Sequence, residues 1–352
     1  MKRILIADDS ALVRKQITEI VAQLGFEIDT AKNGAEAVEK ATASQYDVIT
    51  MDINMPIMDG LAAVRKIMEI RPTPILMISS LTTESAKITM EALDAGAVDY
   101  ISKPGTMNVG RSENSEDIVQ KVTSLSRIPP RRLKTMTRRS VVRERPQSVR
   151  EAARIENKST ADVTKIVLIG ASTGGPGLIE QICTALPAGF GYAVCIVQHM
   201  PEQFTAAFAS RLDKNSTLPV VEAKDHMELY PGNIYLARGG VHMHFGKKVT
   251  GRIVIREEKN KGSRFFQPSV DEMFMSALKV FSGDQIIGVL LTGIGDDGAA
   301  GMVAVKQAGG FTIGESEETA TVYGMPKEAY DRGGVSQQLP FPKIVRALQT
   351  LR

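Results

Sequence analysis

Two sets of residues in this 352-residue chain have types and spacings that could do chemistry. The first set is acidic. Asp8 and Asp9 follow the apolar run RILIA, Asp52 closes YDVITMD, and Lys103-Pro104 follow DYIS. If those runs are parallel strands, the groups meet on the rim formed by the strands' carboxyl ends. Three carboxylates at one point repel each other unless a hard cation such as Mg²⁺ offsets their charge. An exposed Asp at such a centre can attack a phosphoryl group, and a lysine ammonium beside it adds a second positive contact. Ser79, at the end of PILMIS, is placed to reach the new phosphate.

The second set centres on a serine. KIVLIG runs into Ala171-Ser172-Thr173-Gly174-Gly175, which puts Gly170-x-Ser172-x-Gly174 in the spacing of a sharp turn that exposes a hydroxyl. The N-terminus of a following helix would offer backbone N–H groups to an oxyanion. With four histidines in the chain, the search for a base is short. His199 ends YAVCIVQ, a carboxyl-end position like that of Ser172. His242 and His244 alternate along VHMHF and are expected on opposite sides of a strand, which argues against a shared metal; His226 falls in the polar stretch AKDHMEL. These three read as surface or packing residues. A carboxylate is expected from Thr292-Gly293-Ile294-Gly295-Asp296-Asp297-Gly298, the loop after QIIGVLL. One of the two adjacent acids would hold the His199 tautomer while His199 takes the Ser172 proton, and the other would cap a helix. The order Ser, His, Asp differs from the Ser, Asp, His order of α/β-hydrolases, so an ordinary member of that fold is not expected.

The elements that must position these groups come in two series. Residues 1–121 alternate RILIA, EIDTA, YDVITM, PILMIS and DYIS with amphipathic helical stretches such as ALVRKQITEIVAQL. That alternation predicts a five-stranded parallel sheet covered on both faces. Residues 161–352 begin a second α/β series: KIVLIG, YAVCIVQ, LPVVEA, NIYLA, RIVIRE, QIIGVLL and FTIGE. VDEMFMSALKVF and GAAGMVAVKQA supply helical patterns between them. The stretch 233–257 has no helix-length gap and predicts an antiparallel hairpin in an otherwise parallel sheet.

Between them, residues 122–160 are rich in Arg, Ser and Pro and read as a flexible linker, helical near 148–156. From Arg127 to Lys158 eleven Lys and Arg face three Glu, a local net of +8 within a chain of net +3, so the remainder carries −5. The basic balance is therefore confined to one segment, which argues against a nucleic-acid-binding domain face. Cys183 and Cys195 lie in apolar stretches and read as buried thiols of a reducing compartment. MKRILIADDS breaks into acids after one short apolar run, so it reads as a strand rather than a signal peptide. With no apolar run long enough to span a bilayer, a cytoplasmic protein without direct membrane insertion is expected.

Asp8, Asp9, Asp52 in MDINMPIMDG, Ser79 in MISS, Tyr100 and Lys103-Pro104 together resemble the flavodoxin-like receiver domain of two-component response regulators. The resemblance implies that Asp52 accepts phosphate from a histidine kinase. It also implies that Asp8, Asp9, Asp52 and the Asn54 carbonyl hold Mg²⁺, that Ser79 and Tyr100 form the switch pair, and that Lys103 contacts the phosphate. GASTGGPG, VQHMP, QPSVDEMF, LLTGIGDDGAAGM and YGMPKEA resemble the doubly wound catalytic domain of the CheB family of chemotaxis protein-glutamate methylesterases. This second resemblance implies Ser172 as nucleophile, His199 as base and Asp297 as orienting acid. Backbone near Thr173 and Ile294 would help at the oxyanion, and no cofactor is implied. It also implies methyl-accepting chemotaxis receptors as substrates, methanol release, and a glutamine deamidase side activity. Two positions depart from the family pattern: Ile294 stands where Met is usual, and Gln267 where Arg is common.

Two rival readings follow from the same residues. Gly170-x-x-x-Gly174 with Tyr323-x-x-x-Lys327 superficially matches a short-chain dehydrogenase, whose Tyr and Lys must share a helix face. Gly324 and Pro326 interrupt that helix here. A non-enzymatic regulator, such as a DNA-binding output domain, would need a short helical module and a basic recognition helix, and the strand-rich second half offers neither.

Overall fold

The computed structural model describes residues 1–80, 82–103, 111–129, 133, 162–259 and 266–351. The chain divides into two compact units, Met1–Val141 and Val142–Arg352. The helix expected near 148–156 lies outside the described residues.

In the first unit β1 (Arg3–Ala7), β2 (Glu27–Ala31), β3 (Val48–Asp52), β4 (Ile75–Ser79) and β5 (Asp99–Ser102) form one sheet in the order β2-β1-β3-β4-β5. All its pairings are parallel. Strands β3 and β4 are buried along their whole length, as continuous apolar runs in a covered parallel sheet must be. Helices α1 (Ala11–Ala22), α2 (Gly34–Ala43), α3 (Gly60–Ile70), α4 (Thr83–Asp94) and α5 (Arg111–Leu125) connect and cover them. The first four start at polar caps: Ser10, Asn33, Asp59 and Thr82 each accept an N–H from the first turn. Helix α5 runs to Leu125, past the boundary expected at 121, and Lys2 Nζ donates to the Ser126 carbonyl at 2.9 Å.

The second unit is built on β6 (Ile166–Ala171), β7 (Ala193–Gln198), β8 (Val220–Glu222), β9 (Ile234–Leu236), β12 (Ile286–Leu290), β13 (Phe311–Glu315) and β14 (Gln337–Leu339). Their order, β14-β13-β12-β6-β7-β9-β8, is parallel throughout. The antiparallel hairpin, β10 (His242–Lys247) with β11 (Ile253–Glu258), is a two-stranded sheet of its own, while β9 joins the main sheet. Helices α6 (Gly175–Ala185), α7 (Glu202–Asn215), α8 (Val270–Ala277), α9 (Ala299–Gln307), α10 (Met325–Asp331) and α11 (Phe341–Gln349) complete the unit. Phe204, Phe208, Phe274 and Phe341 are fully buried under these helices. Strand β14 lacks an apolar alternation: Gln337 and Gln338 are exposed at the sheet's edge.

Strand order decides where chemistry can sit. In the first sheet the chain winds outward from the β1–β3 boundary, and in the second from the β6–β12 boundary. Helices leave in opposite directions at such a boundary and open a crevice at the carboxyl ends of the strands.

Candidate functional site

At the first crevice Asp8, Asp9 and Asp52 come together, with carboxylate oxygens within 4.8 Å of one another. Lys103 Nζ lies 2.8 Å from Asp52 Oδ2 and 3.1 Å from Asp8 Oδ2. Asp9 is at the surface, but Asp52, expected to be exposed, is only 1% accessible. Burial pushes the Asp52 carboxyl up to about 6; the hydrogen bond from Lys103 opposes the rise and the Asp8 charge adds to it. Three carboxylates against one ammonium leave a net negative, all-oxygen cluster, the donor chemistry that a hard divalent cation fits. Asn54 sits in the turn directly after β3 and is exposed.

Ser79 ends β4 beside this cluster, and its carbonyl accepts the Lys103 N–H at 2.9 Å. Its hydroxyl donates to the Ser80 carbonyl and accepts from Thr89 Oγ1, each at 3.1 Å. Tyr100 is buried on β5, and burial raises its phenol well above the ordinary value. The Lys121 ammonium stands 5.6 Å from the Tyr100 ring centroid, donates to the Tyr100 carbonyl at 2.8 Å and pairs with Asp99 at 3.1 Å. Neither Thr89 nor Lys121 stands out in the sequence, because each reaches the site from one face of a helix.

At the second crevice the strand ends bring the three expected side chains into one line. Ser172 follows β6, and its hydroxyl is 3.1 Å from His199 Nδ1. His199 follows β7, and its Nε2 is 2.8 Å from Asp297 Oδ2. Because a carboxylate only accepts, Nε2 carries the proton and Nδ1 is left to accept the Ser172 O–H. Gly174 takes φ +77°, a left-handed conformation open to glycine, and a Cβ there would lie 2.6 Å from Thr321 side-chain atoms. That turn aims Ser172 out of the sheet and starts α6 behind it. Gly293 is required for a different reason: a Cβ on it would strike the Met325 Sδ and come within 2.8 Å of Ser172 Cβ.

The structure separates the two adjacent acids. Asp296 has a side chain 62% exposed and pairs with Arg332 at 2.6 Å, whereas the Asp297 side chain is 10% exposed and meets His199. Asp297 is also held at the N-terminus of α8. Its Oδ1 accepts from Ser269 Oγ at 2.7 Å and the Asp271 N–H at 3.1 Å, and its Oδ2 from the Val270 N–H at 2.7 Å. Burial disfavours the charge, but the His199 contact and the Val270 and Ser269 donors outweigh it and bring the carboxyl down to about 2. Two further polar groups brace the loops. Gln198 Nε2 donates to the Ser172 carbonyl at 3.0 Å. Buried Glu315 accepts the Thr292 N–H at 2.9 Å.

The expectation for His242 and His244 needs correction. Residues two apart on a strand share a face, and their rings on β10 lie parallel with centroids 6.1 Å apart. His244 stands between Glu258 at 3.1 Å and Glu272 at 3.2 Å. His242 is buried, and its Nδ1 accepts the Ser269 N–H at 3.2 Å, directly behind the residue that holds Asp297. His226 lies on the surface with Asp225. Tyr323 and Lys327 do not share a helix: α10 begins at Met325 with Pro326 in its first turn, which leaves Tyr323 outside.

Known proteins resemble this chain over nearly its full length. A family model described as CheB methylesterase matches residues 167–348, and one described as response regulator receiver domain matches residues 4–112. A Carboxydothermus hydrogenoformans protein named protein-glutamate methylesterase/protein-glutamine glutaminase 2 is 49% identical over 97% of this chain and 96% of its own length. The chain belongs to the CheB methylesterase family. Another CheB-family relative, the Archaeoglobus fulgidus protein-glutamate methylesterase/protein-glutamine glutaminase, is 42% identical over 98% of this chain and 97% of its own. The solved catalytic domain of Thermotoga maritima CheB methylesterase is 39% identical, covers 53% of this chain and 98% of itself, and superposes with a TM-score of 0.51.

Proposed function

We propose that this chain hydrolyses the γ-methyl esters of glutamate residues on methyl-accepting chemotaxis receptors, releasing methanol, and deamidates glutamine at the same site. The observation that carries the reading is the continuous line of hydrogen bonds from Ser172 through His199 to Asp297. Ser172 Oγ attacks the ester carbonyl carbon while His199 Nδ1 takes its proton and Asp297 holds the Nε2–H. The carbon–methoxy bond then breaks, His199 returns the proton, and methanol leaves. Water, deprotonated by His199, cleaves the acyl-serine to free glutamate and Ser172. With a primary amide the leaving group is ammonia.

The Ser172 N–H is committed to the Thr292 carbonyl and the Gly293 N–H to the Val322 carbonyl. In this reading the backbone at Thr173 and Ile294, next along each loop, serves the oxyanion, as the family resemblance implies. A backbone donor does not depend on side-chain type, so Ile294 serves in place of methionine.

Control is assigned to the first unit. Asp52 would accept a phosphoryl group from a histidine kinase, with Lys103 contacting the phosphate. Asp8, Asp9, Asp52 and the Asn54 carbonyl would hold Mg²⁺, which when bound offsets the negative charge of the phosphoryl oxygens. Phosphorylation would draw Ser79 from its contact with Thr89 and shift Tyr100, relieving inhibition of the esterase. This reading proposes a first domain that extends through the end of α5 at Leu125, a second over 161–352, and the basic stretch between them as a tether. The buried unpaired thiols of Cys183 and Cys195 suit a reducing cytoplasm. No helix among the described residues is long and apolar enough to cross a membrane. The reading is tested by methanol release from methylated receptors with and without a small phosphodonor. Wild type should release methanol, faster with the donor, and Ser172→Ala should not; full activity in Ser172→Ala would overturn the assignment.

A further inference from the structure

We infer that Phe266 is a positioning residue for the general base: its ring fixes the plane of the His199 imidazole and favours the cation that His199 becomes during attack. The inference rests on the triad reading above and concerns what surrounds its central member. The Phe266 ring lies flat on the imidazole, with centroids 4.0 Å apart and planes 9° from parallel. Two neutral aromatic rings prefer offset or edge-on packing, whereas a cation is drawn to the negative face of a ring within about 6 Å of its centroid. Once His199 has taken the Ser172 proton, the same overlay becomes a cation on a π face. The attraction is strongest away from water, and the His199 side chain is only 6% exposed.

Both edges of the imidazole are already used. Nδ1 faces the Ser172 hydroxyl, and Nε2 faces Asp297, the titratable group in contact with the ring. A group that stabilises the cation without competing for either nitrogen must therefore approach a face, and Phe266 does. It belongs to the same short segment whose Ser269, Val270 and Asp271 hold Asp297. That segment is pinned by the Gly240 N–H to the Gln267 carbonyl at 3.0 Å and by the Ser269 N–H to His242 Nδ1. Residues 266–271 thus touch base and acid together, with the ring on a face of the base and the donors on the acid.

The test compares Phe266→Leu, which keeps apolar volume but removes the π face, with Phe266→Trp, which keeps a face, both in the full-length chain. In Phe266→Leu, kcat for methanol release should fall about fivefold to tenfold, with KM little changed. The acid limb of the kcat/KM profile should move to lower pH, because the protonated base has lost a partner. Phe266→Trp should restore both. An acid limb that stays in place, or moves to higher pH as loss of a merely water-excluding cover would produce, overturns the inference. So does a leucine variant as active as the tryptophan one. NMR reads the stack without activity. The His199 Cε1–H should be shifted upfield by the ring current in Ser172→Ala and return downfield when Phe266→Leu is added; no such return overturns it too. If Ser172→Ala itself kept full methanol release, the triad reading would fall instead.

Discussion

Asp52 and Asp297 are the same side chain at two sheet crevices, one ending β3 and the other in the loop after β12, and their carboxyls are driven in opposite directions. Asp52 is pushed up to about 6 and Asp297 brought down to about 2. Burial raises both, so the difference comes from the neighbours. Asp297 has His199, Ser269 Oγ and two N–H groups at a helix start. Asp52 has the Lys103 ammonium and the Ile53 N–H, with the Asp8 charge working against it. A carboxylate that must orient a histidine is saturated with donors and locked. One that must accept a group is left short of positive charge, so that a cation and a phosphoryl group both improve its surroundings.

That contrast can be broken from either side. Ser172→Ala or His199→Gln should lower kcat for methanol release by roughly 10⁴-fold or more, since nucleophile and base act as one unit. Asp297→Asn should cost on the order of 10³- to 10⁴-fold by leaving the imidazole in the wrong tautomer. Chelating divalent cations should abolish phosphorylation of Asp52 by a small phosphodonor, measured by intact mass. The same treatment should leave methanol release by the unphosphorylated chain as it was. Ser269→Ala, which removes one of the Asp297 donors, should lower kcat about tenfold through misorientation of that carboxylate. The smallest effect concerns stability. A carboxyl lowered to about 2 in the folded state stabilises the fold above its unfolded value of 3.8. That contribution, on the order of 2 kcal/mol, disappears as pH falls from about 4 to about 2. Asp297→Asn should therefore show a shallower loss of stability over that window in urea titrations, and an unchanged slope would argue that the Asp297 charge is not stabilised as described.

Much of this was legible because parallel sheets put chemistry at strand ends. Ser172, His199, Asp8 and Asp52 each follow an apolar run, and pattern alone placed them on the two rims. Choosing between Asp296 and Asp297 was not possible from spacing. Their difference is tertiary: one meets Arg332 at the C-terminal cap of α10, and the other meets the start of α8. Ser269 and the Val270 and Asp271 amides were invisible as a site, because a helix start is unremarkable until a carboxylate from a distant loop arrives. Phe266 is one of eleven phenylalanines, and nothing in its spacing marks it. His242 and His244 share a face of β10, and the contact between His242 and Ser269 follows from that tertiary placement. Gln337–Leu339 carries no strand signal in the sequence because an exposed edge strand needs no apolar alternation.

The central claim is that Ser172 is a nucleophile activated through His199. Labelling with a fluorophosphonate, followed by peptide mass mapping, reads it directly. One adduct on Ser172 is expected in wild type, surviving chelation of divalent cations and lost in His199→Gln. An adduct on another residue, or undiminished labelling of Ser172 in His199→Gln, would contradict it.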